Sequence, residues 1–162
     1  MTAQDRYDSL IQWYSHVAGI EEKWLLLKAQ IRRESNFDPD AKSPVGARGL
    51  AQFMQRTFLE WWDMTPGIQA LPQVNLPDPR DPEDCIRAQA AYMAALLKHY
   101  QDDELALAAY NFGPGRIDKL RENSNQTFEQ IKPRLPQETA EYVPAIMNYY
   151  RIYTQLGDES HA

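Results

Sequence analysis

Residues 34–54 read ESNFDPDAKSPVGARGLAQFM, and the chemistry they offer begins with a carboxylate in an unusual place. Trp24, Leu27, Ile31 and Glu34 share one helix face, at 100° per residue. Glu34 therefore ends an apolar stripe, not a solvated one. Burial disfavours a charged carboxylate, so a glutamate on such a face is expected to hold its proton to higher pH than usual. A proton kept near neutral pH serves a general acid. Cleavage of a glycosidic bond needs one, because the leaving oxygen must be protonated. A plainer reading competes, in which Glu34 pairs with Arg32, Arg33 or Arg48.

The residues after Glu34 extend the first reading. Asn36, Asp38 and Pro39 stop the helix. Gly46 and Gly49 suit tight backbone positions. Ser43, Gln52 and Met54 supply a hydroxyl, an amide and a thioether, which suit a groove for neutral sugar and amide groups. Other chemistries find little support. His16, His99 and His161 lie far apart, and no HExxH, CxxC or GxSxG pattern occurs, so neither a metal nor a cofactor is expected. The aspartates at 78–84 lack the glycine of a calcium loop. Cys85, the single cysteine, excludes an internal disulfide framework and reads as a small helix residue on or near the surface.

The elements that must position these residues read as helices. Helical spacing covers 5–18, 21–35, 48–61, 82–100, 103–112 and 137–156, and no sustained alternation suggests a large sheet. Residues 62–82, with five prolines, form a long irregular connection expected to wrap the surface. Asp81 then reads as an N-cap and Pro82 as the first helical residue, with Ile86, Ala90, Met93 and Leu97 as core stripe. Gly113-Pro114-Gly115 ends the helix that carries Tyr110 and Asn111. Tyr142, Ile146, Tyr149, Tyr153 and Leu156 form a last stripe assigned to core, and Pro144 is expected to kink or restart that helix.

The 162 residues suit one domain, spanning 1–162. A net charge of −6 argues against a nucleic-acid partner. No stretch approaches the apolar length of a membrane helix, and no secretory signal is visible at the N-terminus.

Three segments together resemble one family. Glu34-Ser35, Ser43, Gly46-Ala47, Gly49-Leu50 and Gln52 look like the signature of the soluble-type lytic transglycosylase domain. "AAYNFGPGRI" at 108–117 and "ETAEYVPAI" at 138–146 look like its second and third motifs, in family order. The resemblance spans roughly residues 18 to 156. It implies a mainly α, goose-lysozyme-like domain of the lysozyme superfamily, with a helical bundle core and a substrate groove.

It also implies a reaction. Such enzymes cut the β-1,4 bond between N-acetylmuramic acid and N-acetylglucosamine in peptidoglycan without water. The muramyl C6 hydroxyl attacks C1 and leaves a 1,6-anhydro ring. Glu34 would be the catalytic acid, then base. Ser43, Gln52 and Met54 match groove positions, Tyr110 and Asn111 match residues facing the glutamate, and Glu138 matches a substrate-contacting glutamate. Glu138 has an equal claim to helix-dipole stabilisation. The implied partner is the glycan strand of the cell wall, bound by a monomer acting in the periplasm or outside the cell. Delivery by a phage particle, an endolysin or a secretion system would fit the missing signal.

The sequence departs from the family pattern at several positions. Ala51 and Gln55 replace a common methionine and proline, Asp84 and Ala88 an asparagine and a glycine, and Phe112 a small residue, here expected to fill core. None removes the acid. Two alternatives remain: a hydrolytic muramidase on the same fold, with Asp38 or Asp40 activating water, and a catalytically dead wall-binding module.

Overall fold

The computed structural model describes residues 2–64 and 76–160. The chain divides into two compact units, Met1–Tyr92 and Met93–Ala162. Among the described residues no strand forms beyond two isolated bridges, Lys42 with Arg48 and Arg48 with Phe53. Nor, among the described residues, is any helix long and apolar enough to cross a membrane.

The first unit holds α1 (Asp8–Val17), a 3-10 turn (Glu21–Lys23), α2 (Trp24–Ser35), α3 (Gln55–Asp63) and the start of α4 (Pro82–Tyr100). Leu26, Leu27, Ala29 and Ile31 of α2 are fully buried. Polar groups on α2 are buried with partners. Lys28 pairs with Asp5 at 3.1 Å and Asp8 at 2.9 Å. Gln89 of α4 donates through Nε2 to the Leu27 carbonyl and to Gln30 Oε1. α4 opens as expected: Asp81 Oδ1 accepts the Asp84 amide at 2.9 Å, and Pro82 is the first helical residue.

Two expectations fail here. Residues 48–54 are not helix. Gly49, at φ +81°, and Gln52, at φ +51°, turn the chain into a tight loop, and α3 begins only at Gln55. A Cβ on Gly49 would lie 1.9 Å from the Pro79 carbonyl oxygen, so the close approach of these two segments requires a glycine. Cys85 is not near the surface but fully buried. Every residue from 85 to 93 is buried, so α4 is enclosed all round there and a one-sided stripe underestimates it. Of the proline-rich connection, residues 65–75 lie outside the described residues. Leu76 is exposed, and Pro79 packs beneath Gly49.

The second unit holds the rest of α4, α5 (Asp103–Phe112), α6 (Pro114–Leu120), α7 (Phe128–Ile131), a 3-10 turn (Lys132–Arg134) and α8 (Gln137–Ser160). α5 is its centre, packed by α6, α7 and α8. Five consecutive residues, Leu105 to Ala109, are buried, and three of them are alanines that let neighbouring helices approach closely. Asp102 caps α5 by accepting the Leu105 amide at 2.8 Å. Gly113, at φ +98°, ends it, and Pro114 opens α6. The short helices α6 and α7 were not anticipated; α7 carries a Thr127/Gln130 capping box.

The restart anticipated at Pro144 does not occur, since α8 runs through it. Pro144 is exposed, so the lost ladder bond falls on the outer side of the helix. Tyr142, Ile146 and Tyr153 are core as expected, whereas Tyr149 is half-buried and Leu156 is 57% exposed. Phe112 does not fill core either: it is half-buried, with the Arg116 guanidinium 5.2 Å from its ring centre.

Candidate active site

Glu34 occupies the last turn of α2, half-buried, where the apolar stripe meets solvent. The helix ends one residue later. Asn36 takes the left-handed conformation at φ 50° and its amide bonds the Arg32 carbonyl at 3.0 Å. Ser35, beside Glu34, donates its hydroxyl to the Leu50 carbonyl at 2.9 Å and to the Ile31 carbonyl at 3.2 Å. This bond ties the end of the glutamate's helix to the glycine loop.

That loop carries the other predicted residues of the first unit. Ser43 closes a turn: its hydroxyl oxygen accepts the Ala47 amide at 3.0 Å, and its own amide bonds the Ala47 carbonyl at 2.9 Å. Gln52 donates through Nε2 to the carbonyls of Ala41 at 3.1 Å and Gly49 at 3.0 Å. Both amide hydrogens are thereby used, which fixes the orientation of the group. Met54, 49% exposed, sits in extended conformation just before α3 and offers an apolar platform.

Beneath the loop lies Cys85. Its sulfur accepts the Ala51 amide at 3.3 Å. Burial pushes its thiol up to about 12, and the negative charge of Glu34 adds to the rise. The thiol is therefore neutral and inert at ordinary pH, and it packs within electrostatic reach of Glu34. Asp84, one residue earlier, receives two donors. One oxygen accepts the Trp62 indole N–H at 3.0 Å and the other the Asp78 amide at 3.1 Å.

In the second unit, Tyr110 and Asn111 lie half-buried on the last turn of α5. Asn111 meets the start of α8. It donates through Nδ2 to Glu138 Oε1 at 3.2 Å and accepts the Thr139 hydroxyl on Oδ1 at 2.8 Å. Glu138 is exposed in the first turn of α8. It thus has both a helix N-terminus and a side-chain partner. Among the described residues no group of three or more His, Cys, Asp or Glu could hold a metal ion.

The structure brings Ser43 and Gln52 together on one loop joined to the end of α2, and Asn111 together with Glu138. The sequence reading gave no role to Ser35 or Thr139. Both stand next to a predicted residue, but their partners lie 15 and 28 positions away. Thr139 is 1% exposed and sets the flip of the Asn111 amide. Thr139→Val is expected to cost about 1–2 kcal/mol in denaturant unfolding, with Thr139→Ser restoring it. Unchanged stability would remove that role.

The chain is similar to known proteins in sequence and in fold. The family model described as "Transglycosylase SLT domain" matches residues 11–132. The chain is 30% identical over 160 residues to "Soluble lytic murein transglycosylase" of Escherichia coli (strain K12), covering 94% of this chain and 24% of that protein. It is 30% identical over 185 residues to "Membrane-bound lytic murein transglycosylase F" of Alteromonas mediterranea, covering 95% of this chain and 36% of the relative. The crystal structure of an inactive mutant of lytic transglycosylase Slt from Pseudomonas aeruginosa superposes with a TM-score of 0.79 at 29% identity, over 95% of this chain and 25% of that one. The chain thus spans about a quarter to a third of the length of these proteins. With the helical, lysozyme-like fold and most of its length matched, the chain belongs to the transglycosylase SLT domain family.

Proposed function

We propose that the chain is a peptidoglycan lytic transglycosylase that cleaves the β-1,4 bond between N-acetylmuramic acid and N-acetylglucosamine. The observation that carries this reading is Glu34, half-buried at the end of α2, with its helix bonded through Ser35 to the loop that holds Ser43 and Gln52.

Glu34 protonates the departing N-acetylglucosamine O4 as the C1–O4 bond breaks. The N-acetyl carbonyl of the muramyl residue stabilises the intermediate. The C6 hydroxyl then forms the bond to C1 and returns its proton to Glu34, leaving a 1,6-anhydromuramyl end. One carboxylate performs both transfers, so no second acid is required across the bond. Gln52 Oε1 accepts a hydrogen bond from a sugar hydroxyl or acetamide, Ser43 can donate its hydroxyl hydrogen, and Met54 lies against a sugar face. Tyr110, Asn111 and Glu138 add substrate-binding groups; the Asn111–Glu138 bond supports this by holding two of them in fixed orientation. The chain acts as a monomer and needs neither metal nor cofactor.

Mass spectrometry of purified sacculi after digestion tests the reading. The expected fragments end in 1,6-anhydromuramic acid. Reducing muramic acid ends would instead indicate a hydrolytic muramidase. Intact sacculi would indicate a binding module without activity.

A further inference from the structure

Near its end α3 carries two adjacent tryptophans with different surroundings. Trp62 is buried and engaged: its indole N–H donates to Asp84 Oδ1 at 3.0 Å, and the Arg87 guanidinium carbon lies 4.0 Å from its ring centre. Trp61 is only half-buried. Its ring stacks on Tyr92 of α4, with centres 4.8 Å apart and planes at 20°. Among the described residues no acceptor meets its indole N–H. Tryptophan N–H groups usually find a partner when buried. Trp61 instead reaches solvent with its donor unused and its ring held flat against the tyrosine.

The same aromatic cluster reaches the loop that holds Gln52 and Met54. Tyr92 also meets Phe53, whose ring centre lies 6.5 Å away. Phe53 stands between Gln52 and Met54 in the chain, and its ring lies 6.0 Å from that of Phe58, which is fully buried in α3. Met54 caps the start of α3, and Trp61 follows seven residues later. Seven residues make two helical turns, so Trp61 stands on nearly the same side of α3 as Met54 and about 10 Å further along.

The sugars of a glycan strand suit such a surface. N-acetylglucosamine carries its ring substituents equatorially, so each face of the ring presents axial C–H groups. Those hydrogens are slightly positive and meet the negative face of an indole. An indole N–H can only donate, and the acetamide carbonyl of the same sugar is an acceptor.

We propose that Trp61 is a stacking platform for an N-acetylated sugar of the glycan strand, further from the bond that is cut than the ring on Met54. Its indole N–H donates to the acetamide carbonyl of that sugar. The assignment rests on the peptidoglycan reading above. It makes Trp61 a specificity residue for strand length: only a strand long enough to run along α3 reaches it, and it touches none of the reacting atoms.

The test compares peptide-free glycan strands of eight and of four sugars. The preference for the longer strand, taken as the ratio of the two kcat/KM values, is expected to fall about tenfold in Trp61→Leu, which loses both the ring and the donor. Trp61→Phe keeps a ring on Tyr92 and loses only the donor, so its preference should fall about threefold. Equal losses on both lengths, as a general loosening of the fold would give, overturn the proposal, and so does an unchanged preference.

A second measurement does not depend on turnover. The hexamer of β-1,4-linked N-acetylglucosamine is titrated into the Glu34→Gln protein. Trp13, Trp24, Trp61 and Trp62 give four indole N–H resonances, and that of Trp61 is identified by its absence from Trp61→Phe. It should move to saturation, and Kd should rise about tenfold when Trp61→Leu is added. Movement of other indoles only, or an unchanged Kd, contradicts the assignment. Wild-type protein that leaves both strand lengths uncut would defeat the transglycosylase reading, while the titration would still decide the platform.

Discussion

Replacing Glu34 with glutamine is expected to lower strand cleavage about a thousandfold while leaving the thermal unfolding midpoint within a few degrees of the original. Glutamine keeps the size and most of the hydrogen-bonding capacity of the side chain but can neither give nor take the proton. General acid–base groups typically contribute 10²–10⁴-fold, and here one group would serve both transfers, so the loss falls well inside that range and not at its lower end. Glu34 is half-buried at a helix end, not locked in the core, and substitution there leaves the packing of Leu27, Ile31 and Leu50 intact. Activity is read as release of soluble fragments from sacculi, with unfolding followed by circular dichroism. A variant within tenfold of wild type would remove Glu34 from the chemistry.

The largest expected effect on stability belongs to Gly49→Ala. The added Cβ would sit 1.9 Å from the Pro79 carbonyl oxygen, 2.9 Å from its carbonyl carbon and 3.3 Å from Cys85 Sγ. The first contact is with backbone, which cannot swing aside. The position also has φ +81°, which alanine tolerates poorly. Steric displacement and backbone strain together are expected to cost at least about 3 kcal/mol. In a chain of this size that lowers the unfolding midpoint by roughly 10 °C. Gly115 provides the control. It lies in α6 without a positive φ and with nothing within 4 Å of an added Cβ, so Gly115→Ala should be neutral or slightly stabilising. Because the Gly49 loop also carries Gln52, the first variant should lose activity along with stability. Equal midpoints for the two variants would mean that the approach of Pro79 to Gly49 is not a constraint.

The contrast between these glycines indicates what could be read from the sequence. The end of α2 was legible because its signals are local: an apolar stripe, then Asn36 and Pro39. The start of α4 at Asp81-Pro82 was legible for the same reason. Residues 48–54 were misread as helix because Leu50, Ala51, Phe53 and Met54 look helical by composition. Gly46 and Gly49 do signal tight backbone locally, but the close approach of Pro79, 30 positions from Gly49, is encoded in no local pattern. Cys85 was placed near the surface because a single stripe was assigned to a helix that is buried on all sides there. The helices α6 and α7 span seven and four residues, too few to establish a period. Glu34 is read from its place on an apolar helix face, Ser43, Gln52 and Met54 from their side-chain chemistry, and Tyr110, Asn111 and Glu138 from the resemblance to the family's motifs. Ser35 and Thr139 were not assigned roles, because their work lies in which carbonyl or amide each hydroxyl meets.

The claim at the centre of this account is that one carboxylate moves the proton in both directions and no water enters the product. Digestion of sacculi in ¹⁸O-labelled water measures this directly. The account predicts soluble muropeptides that carry no label at the muramyl C1 end, with masses one water lighter than the corresponding reducing sugars. Fragments with one ¹⁸O at that end would contradict it, because water would then have been the nucleophile.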